Sequence, residues 1–227
     1  MLQKPNSAYF HIPFCSHICY YSDFAKVLMT GQPIDAYIES LIEEFQSFEI
    51  EKLRTIYIGG GTPSVLSAQQ LERLLTAIAE QLDLEVLEEF TVEANPGDLS
   101  DEVIKVLADS AVNRISLGVQ TFNDALLKKI GRTHTEVQVY DSVERLKKAG
   151  FENITIDLIY ALPGQTMEMV KSDVEKEEGG NEKMGELFVS PAYQVRRVPI
   201  EKIRANSYNP NKNHKYLTYY NTPMDSN

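Results

Sequence analysis

The feature that most constrains this chain is the regular alternation of short apolar runs with apolar residues spaced at three and four. Ser7 to Ile12, Thr55 to Ile58, Phe90 to Glu93, Arg114 to Val119 and Ile154 to Tyr160 are short and largely apolar, which predicts five strands. Helical stripes lie between them: Ile34, Tyr37, Ile38, Leu41, Ile42 and Phe45; then Leu71, Leu74, Leu75, Ile78 and Leu82; then Val103, Ile104 and Leu107; then Tyr140, Val143 and Leu146. The punctuation agrees. Pro33 suits a first helical turn, Ser67 with Gln70 and Thr135 with Gln138 read as capping boxes, Ser100 caps a third helix, and Gly131 and Gly150 are natural stops. Strands alternating with helices predict an α/β fold whose sheet is parallel, joined by right-handed crossovers. With 227 residues, 43% of them apolar, the chain can bury one good core, and no apolar run is long enough to span a membrane.

The polar residues are not scattered over this pattern. His11 to Phe24 with its two cysteines, the turn Gly59 to Thr62, Glu93 and Gln120 fall at or just beyond the carboxyl ends of predicted strands, and Asp157 falls late within the fifth. Sites in parallel α/β folds form at that end, so a parallel sheet would gather these residues around one cavity. Each also has a plainer reading. A glycine run can be just a tight strand-to-helix turn, Cys15 and Cys19 can be two buried small residues, and Arg132 can pair with a buried acid or sit in solvent. For His17 and His134 the spacing favours a surface position or local hydrogen bonding.

Charge limits the partners. A formal net charge of −11 argues against general nucleic-acid binding by the body, which would need Lys and Arg to neutralise phosphates. The first residues, Met1 to Asn6, lack the apolar stretch of a signal peptide, so a cytoplasmic location is expected, and two cysteines four apart in a reducing compartment do not suggest a structural disulfide. The pattern decays past Lys171. Lys171 to Lys183 is charged, with few apolar residues, and is expected to be a frayed helix passing into a linker. Between Phe188 and Leu217, Arg196, Arg197, Lys202, Arg204, Lys212 and Lys215 face the single acid Glu201, so the tail is basic; Val195 to Ile203 could form one strand, and the Asn-rich remainder reads as irregular.

The loop His11-Ile12-Pro13-Phe14-Cys15-Ser16-His17-Ile18-Cys19-Tyr20-Tyr21-Ser22-Asp23-Phe24 resembles the cysteine loop of the radical S-adenosylmethionine (SAM) family, and most closely its branch of heme chaperones related to oxygen-independent coproporphyrinogen III oxidase. Gly59-Gly60-Gly61-Thr62-Pro63-Ser64, Glu93-Ala94-Asn95-Pro96-Gly97, Arg114 to Phe122, Gly131-Arg132-Thr133-His134 and Asp157 to Thr166 are similar to further motifs of that family, in order and with suitable spacing, over roughly residues 4 to 170. The resemblance implies a partial parallel (β/α) barrel, here with five βα units and an irregular basic tail. It implies SAM and a [4Fe–4S] cluster as cofactors, heme or porphyrin as ligand, and heme-accepting proteins as partners. By position, Tyr9 would pack beside SAM, Gly60, Gly61 and Thr62 would present backbone to its methionine part, and Glu93, Gln120, Arg132 and Asp157 would supply polar contacts. Cys15 and Cys19 would each ligate an iron. In the related oxidase the radical formed from SAM would abstract hydrogen from propionate side chains of coproporphyrinogen III.

Two departures stand out. The family's cysteine loop has a third thiolate, three cysteines holding three irons of the cluster, and here that position is Ser22. Serine's hydroxyl is far less acidic than a thiol and is a poor soft ligand, so an absent or unstable cluster is expected. SAM or heme binding could survive in a catalytically inactive remnant. Second, the family's next strand, helix and carboxyl-terminal domain are not recognisable. The expected organisation is a core over residues 1–170, a charged linker over 171–187 and an unrelated tail over 188–227. Within the tail, Val198 to Asn211 resembles the opening strand and turn of ParB-like nuclease domains over some twenty residues, so a chaperone-like gene cut short and joined to a fragment is the simplest expectation.

Overall fold

A computed structural model of the chain describes residues 6–22, 25–48, 50 and 52–179. All of them lie within the first of the chain's two units, Met1–Phe188. The expected end of the linker, the basic tail and its ParB-like stretch lie outside the described residues.

The central sheet has five parallel strands: β1 (Ser7–Ile12), β4 (Thr55–Gly60), β5 (Glu89–Ala94), β6 (Arg114–Gln120) and β7 (Ile154–Leu158), lying side by side in that order. Two short strands, β2 (Phe14–Cys15) and β3 (Val27–Leu28), pair with each other inside the cysteine loop, where the sequence pattern predicts only irregular chain. Among the described residues β1 and β7 each pair on one side only, so the arrangement is an open (β/α) sheet and not a closed barrel. The register is set by burial. All seven residues of the interior strand β6 are buried, whereas edge strand β1 alternates toward its carboxyl end, with Phe10 and Ile12 buried on either side of a half-exposed His11. Parallel pairing aligns Ile12 with Gly60, Ala94 with Leu117 and Gln120 with Leu158, which puts the carboxyl ends of all five strands on one side.

The four stripes form α1 (Ile34–Gln46), α2 (Ala68–Gln81), α3 (Asp101–Ala108) and α5 (Glu136–Lys148), and a short α4 (Asp124–Lys129) precedes α5. Both capping boxes form, Ser67 with Gln70 and Thr135 with Gln138, and Ser100 caps α3 through the Val103 N–H. Neighbouring helices pack α1 on α2, α2 on α3 and α3 on α5. Their stripes meet the sheet: Leu71, Leu74, Ile78, Leu107, Val139 and Leu146 are fully buried and share one core with Ile58, Phe90, Val92, Ile115 and Leu117. Each such side chain contributes about 1.5–3 kcal/mol relative to exposure.

The charged stretch after Lys171 begins as helix, and the structure shows what fastens it. A helix, α6 (Met167–Gly179), runs through it, because Asp173 is buried and accepts hydrogen bonds from the Thr121 hydroxyl and the Phe122 N–H, both 2.8 Å long. A charge-rich sequence hides this single specific anchor, and Lys176 adds an ion pair to Glu136 of α5. No described helix is long and apolar enough to cross a membrane.

Candidate functional site

The carboxyl ends of the strands carry a continuous polar surface. At the end of β1, the Tyr9 hydroxyl donates to His11 Nδ1 (2.9 Å), and His11 Nε2 lies 2.8 Å from the Ala25 carbonyl. A carbonyl only accepts, so His11 is protonated on Nε2 and its Nδ1 receives the tyrosine proton. Tyr9 is 59% exposed and stacks on Tyr57, whose hydroxyl donates to Glu93 Oε1 at 2.6 Å. The other oxygen of Glu93 accepts from the Gly60 N–H at 3.1 Å. Burial pushes the Glu93 carboxyl above its ordinary range, and the two hydrogen bonds only partly oppose it.

The glycine turn is built for close approach. Gly60 has φ +121°, and a Cβ there would stand 2.6 Å from His11 Nδ1; one on Gly61 would stand 2.6 Å from the Phe14 carbonyl oxygen and 2.9 Å from Cys15 Sγ. The N–H groups are already used, however: Gly60 donates to Glu93, Gly61 to the Ile12 carbonyl and Thr62 to the Phe14 carbonyl, the last two at 2.8 Å. What the turn retains for a ligand is carbonyl oxygen, an acceptor.

The far side of the surface comes from β6 and β7. Asp157 accepts from the Ser116 hydroxyl at 2.8 Å. Its side chain is exposed by area, yet surrounding protein raises its pKa, with Ser116, Arg114 and Arg132 opposing. Both hold at once for a group inside a concavity, open to solvent but ringed by protein. Gln120 is buried and adopts φ +72°, an unusual backbone for a residue with a side chain, at the point where the β6–β7 register slips. Among the described residues Arg132 pairs with no acid, and it does not lie free in solvent. Its Nη1 donates to Asn95 Oδ1 at 2.6 Å, its guanidinium lies 5.8 Å from the Tyr21 ring centroid, and its Nε is buried with no partner among the described residues.

The structure therefore brings Tyr9, Gly60, Gly61, Thr62, Glu93, Gln120, Arg132 and Asp157 to one edge. It also adds residues that spacing did not single out. Asn95 accepts from Arg132 and donates to Thr62 Oγ1 (3.1 Å) and Asp98 Oδ2 (3.0 Å), so its amide is fully used. Gly118 lies in β6 where a Cβ would meet Arg132 Nη2 at 2.9 Å, Gln120 Nε2 at 3.0 Å and Asn95 Oδ1 at 3.2 Å; a glycine inside a strand was the available signal for this crowding. Tyr57 and Ser116 orient the two acids, and nothing in their spacing marks them. His17 is exposed as the surface reading has it. His134 is not at the surface: only 4% exposed, it bonds the Val119 carbonyl through Nε2 (3.1 Å), and burial together with the Arg132 charge lowers its pKa to about 4.

The cysteine loop offers less to a metal centre. Cys15 is buried and Cys19 half-buried, both as free thiols, and burial pushes the Cys15 thiol up, away from the thiolate a metal needs. Ser22 is half-buried and its backbone carbonyl accepts from Lys26 Nζ at 2.5 Å. No group of three or more His, Cys, Asp or Glu side chains among the described residues is placed to hold a metal ion. The donor set, two thiols and a hydroxyl, does not fit a [4Fe–4S] cluster.

The fold and this edge have clear relatives. Residues 9–176 match the model of the Radical SAM superfamily. The heme chaperone HemW of Lactococcus lactis subsp. lactis (strain IL1403) is 99% identical over 176 residues, which are 78% of this chain and 46% of that protein. The heme chaperone HemW of Bacillus subtilis (strain 168) is 49% identical over 173 residues, 74% of this chain and 46% of that protein. Among solved structures, the coproporphyrinogen III oxidase HemN from Escherichia coli, a radical SAM enzyme, superposes with a TM-score of 0.71 at 29% identity, covering 78% of this chain and 42% of that one. The chain thus spans less than half the length of these relatives. A family match that takes in most of the chain, on a parallel sheet whose carboxyl edge carries the expected residues, shows that the chain belongs to the radical SAM superfamily, whose cofactors are SAM and a [4Fe–4S] cluster.

Proposed function

We propose that this chain binds SAM along the carboxyl edge of its sheet, as the SAM-binding part of a cytoplasmic heme chaperone related to HemW, with heme as the ligand handled and heme-accepting proteins as the recipients. The observation that carries the reading is the convergence of complementary groups on one edge. SAM presents an ammonium, a carboxylate, ribose hydroxyls and an adenine ring. The turn carbonyls and the Glu93 carboxylate suit the ammonium; the unpartnered Nε of Arg132 suits an anionic or carbonyl oxygen; Asp157 and Gln120 suit hydroxyls; and the exposed Tyr9 ring offers a face for stacking.

Ser22 favours a second form of the same reading, a protein that binds SAM or heme without the cluster and so without reductive cleavage of SAM. Isothermal titration of the natural chain with SAM, without iron, tests the core of the proposal. Saturable binding is expected, weakened roughly 10–100-fold by Glu93→Gln or Asp157→Asn, the scale of one lost hydrogen bond to a charged group. A folded chain that takes up no SAM, or variants that bind as well as the parent, would sink it. Heme binding is read separately, from the absorbance change on titrating hemin.

A further inference from the structure

We infer that Asp173 is a positioning residue for Gln120: through it helix α6 fixes the backbone from which the Gln120 side chain is presented to the candidate SAM edge. The inference rests on the reading of that edge as a SAM site.

The need for support is local. Gln120 has φ +72°, in the left-handed region that a residue with a side chain occupies only where its surroundings hold it. It does so where the β6–β7 register slips, three residues of β6 running against two of β7 between Leu117 and Gln120. The ladder is interrupted at the residue that most needs holding.

The holding groups flank that residue. Before it, the Val119 carbonyl accepts from His134 Nε2 at 3.1 Å, and its own carbonyl accepts from the Ile159 N–H at 2.8 Å. After it, one carboxylate fixes the next two residues: Asp173 Oδ2 accepts from the Thr121 hydroxyl and Oδ1 from the Phe122 N–H, each at 2.8 Å. Thr121, Phe122 and Asp173 are all buried, so water is a poor substitute. The same carboxylate reaches the facing strand exit. Gln165 Nε2 lies 3.4 Å from Asp173 Oδ2 and 3.4 Å from the Ile159 carbonyl, and its Oε1 accepts from the Leu162 N–H at 3.1 Å. The two 3.4 Å contacts are long, which makes Gln165 the weaker member. It still closes a turn in which Ala161 has φ +62°. Two left-handed residues, one on either side of the Ile159–Gln120 bond, thus share one buried carboxylate. The Gln120 amide makes no hydrogen bond among the described residues, so the frame holds the backbone and leaves the side chain for a ligand.

The test uses the full chain. Titration with SAM, without iron, compares the natural protein with Asp173→Ala, Asp173→Asn, the milder Thr121→Val, Gln120→Gly and the double variant Asp173→Ala/Gln120→Gly. Val143→Ala, in the buried face of α5, controls for lost stability alone. Asp173→Ala should weaken SAM roughly tenfold and Thr121→Val roughly threefold, while Asp173→Asn, which keeps an acceptor, and Val143→Ala stay within about twofold. Glycine takes φ +72° without support, so in the Gln120→Gly background Asp173→Ala should add no further loss. Losses that multiply in the double variant, or Asp173→Ala binding as the natural chain does, overturn the inference. Amide exchange by NMR gives a reading free of SAM, on Asp173→Ala or, if that variant does not fold, on Thr121→Val. The Ile159 amide should exchange faster together with that of Phe122. Acceleration at Phe122 and in α6 with Ile159 unchanged would show that the carboxylate serves α6 alone, and would overturn the inference. A natural chain that takes up no SAM removes the functional proposal, and exchange at Ile159 then decides the positioning role by itself.

Discussion

Acidification gives the sharpest test of how the core is wired, through His134. Its imidazole is 4% exposed and donates to the Val119 carbonyl, and its pKa falls from 6.5 to about 4 on folding because burial and the Arg132 charge both disfavour the cation. The folded pKa lies below the unfolded one, so between them the unfolded chain binds more protons and stability falls as pH falls. A shift of about 2.5 units at about 1.36 kcal/mol per unit amounts to about 3 kcal/mol of stability, nearly all present at pH 7 and nearly all lost by about pH 4. Many carboxylates titrate over the same range, so the measurement is a difference. Urea unfolding of the natural chain and of His134→Gln, whose amide can still donate to Val119 but does not titrate, is compared at several pH values from 7 to 4. The variant begins less stable, and the gap should close by about 3 kcal/mol as pH drops. A gap that stays constant would show that His134 is protonated in the fold or is not buried.

Glycine placement at the turn gives a second prediction: Gly61→Ala, whose Cβ meets the Phe14 carbonyl at 2.6 Å, should cost about 1–3 kcal/mol in urea unfolding, while Gly97→Ala, with nothing nearer than 3.6 Å, stays within about 0.5 kcal/mol; equal effects would contradict the close approach. Asp173→Ala leaves the buried Thr121 hydroxyl and Phe122 N–H unpaired and should cost about 2–3 kcal/mol, with faster hydrogen exchange in α6; Asp173→Asn, keeping an acceptor, should lose less, and an Ala variant as stable as the parent would rule out the anchor.

The readable and unreadable parts of this protein divide by the range of the interactions that decide them. Strands, stripes, both capping boxes and the glycine stops follow from neighbours within a few residues in the chain, which is why they could be placed from spacing alone. Parallel strand order then brought the glycine turn, Glu93, Gln120 and Asp157 to one edge, and the change at Ser22 was visible as a residue type.

Tertiary structure decided what depends on partners far apart in sequence. The α6 helix is fastened by Asp173 to residues some fifty positions earlier, an anchor that its charged composition, read as a frayed helix passing into a linker, does not reveal. His134 is buried because the β6 backbone offers it a carbonyl, Arg132 finds Asn95 and Tyr21 in place of an acid, and Gly118 is needed only because three side chains crowd the space above it. Periodicity reports which face a residue occupies but not which distant group will meet it there. For the same reason the sequence showed that the cysteine loop lacks a ligand, while only the folded chain showed that Ser16 bonds Asp98, some eighty positions later, and that Asp98 in turn bonds Asn95.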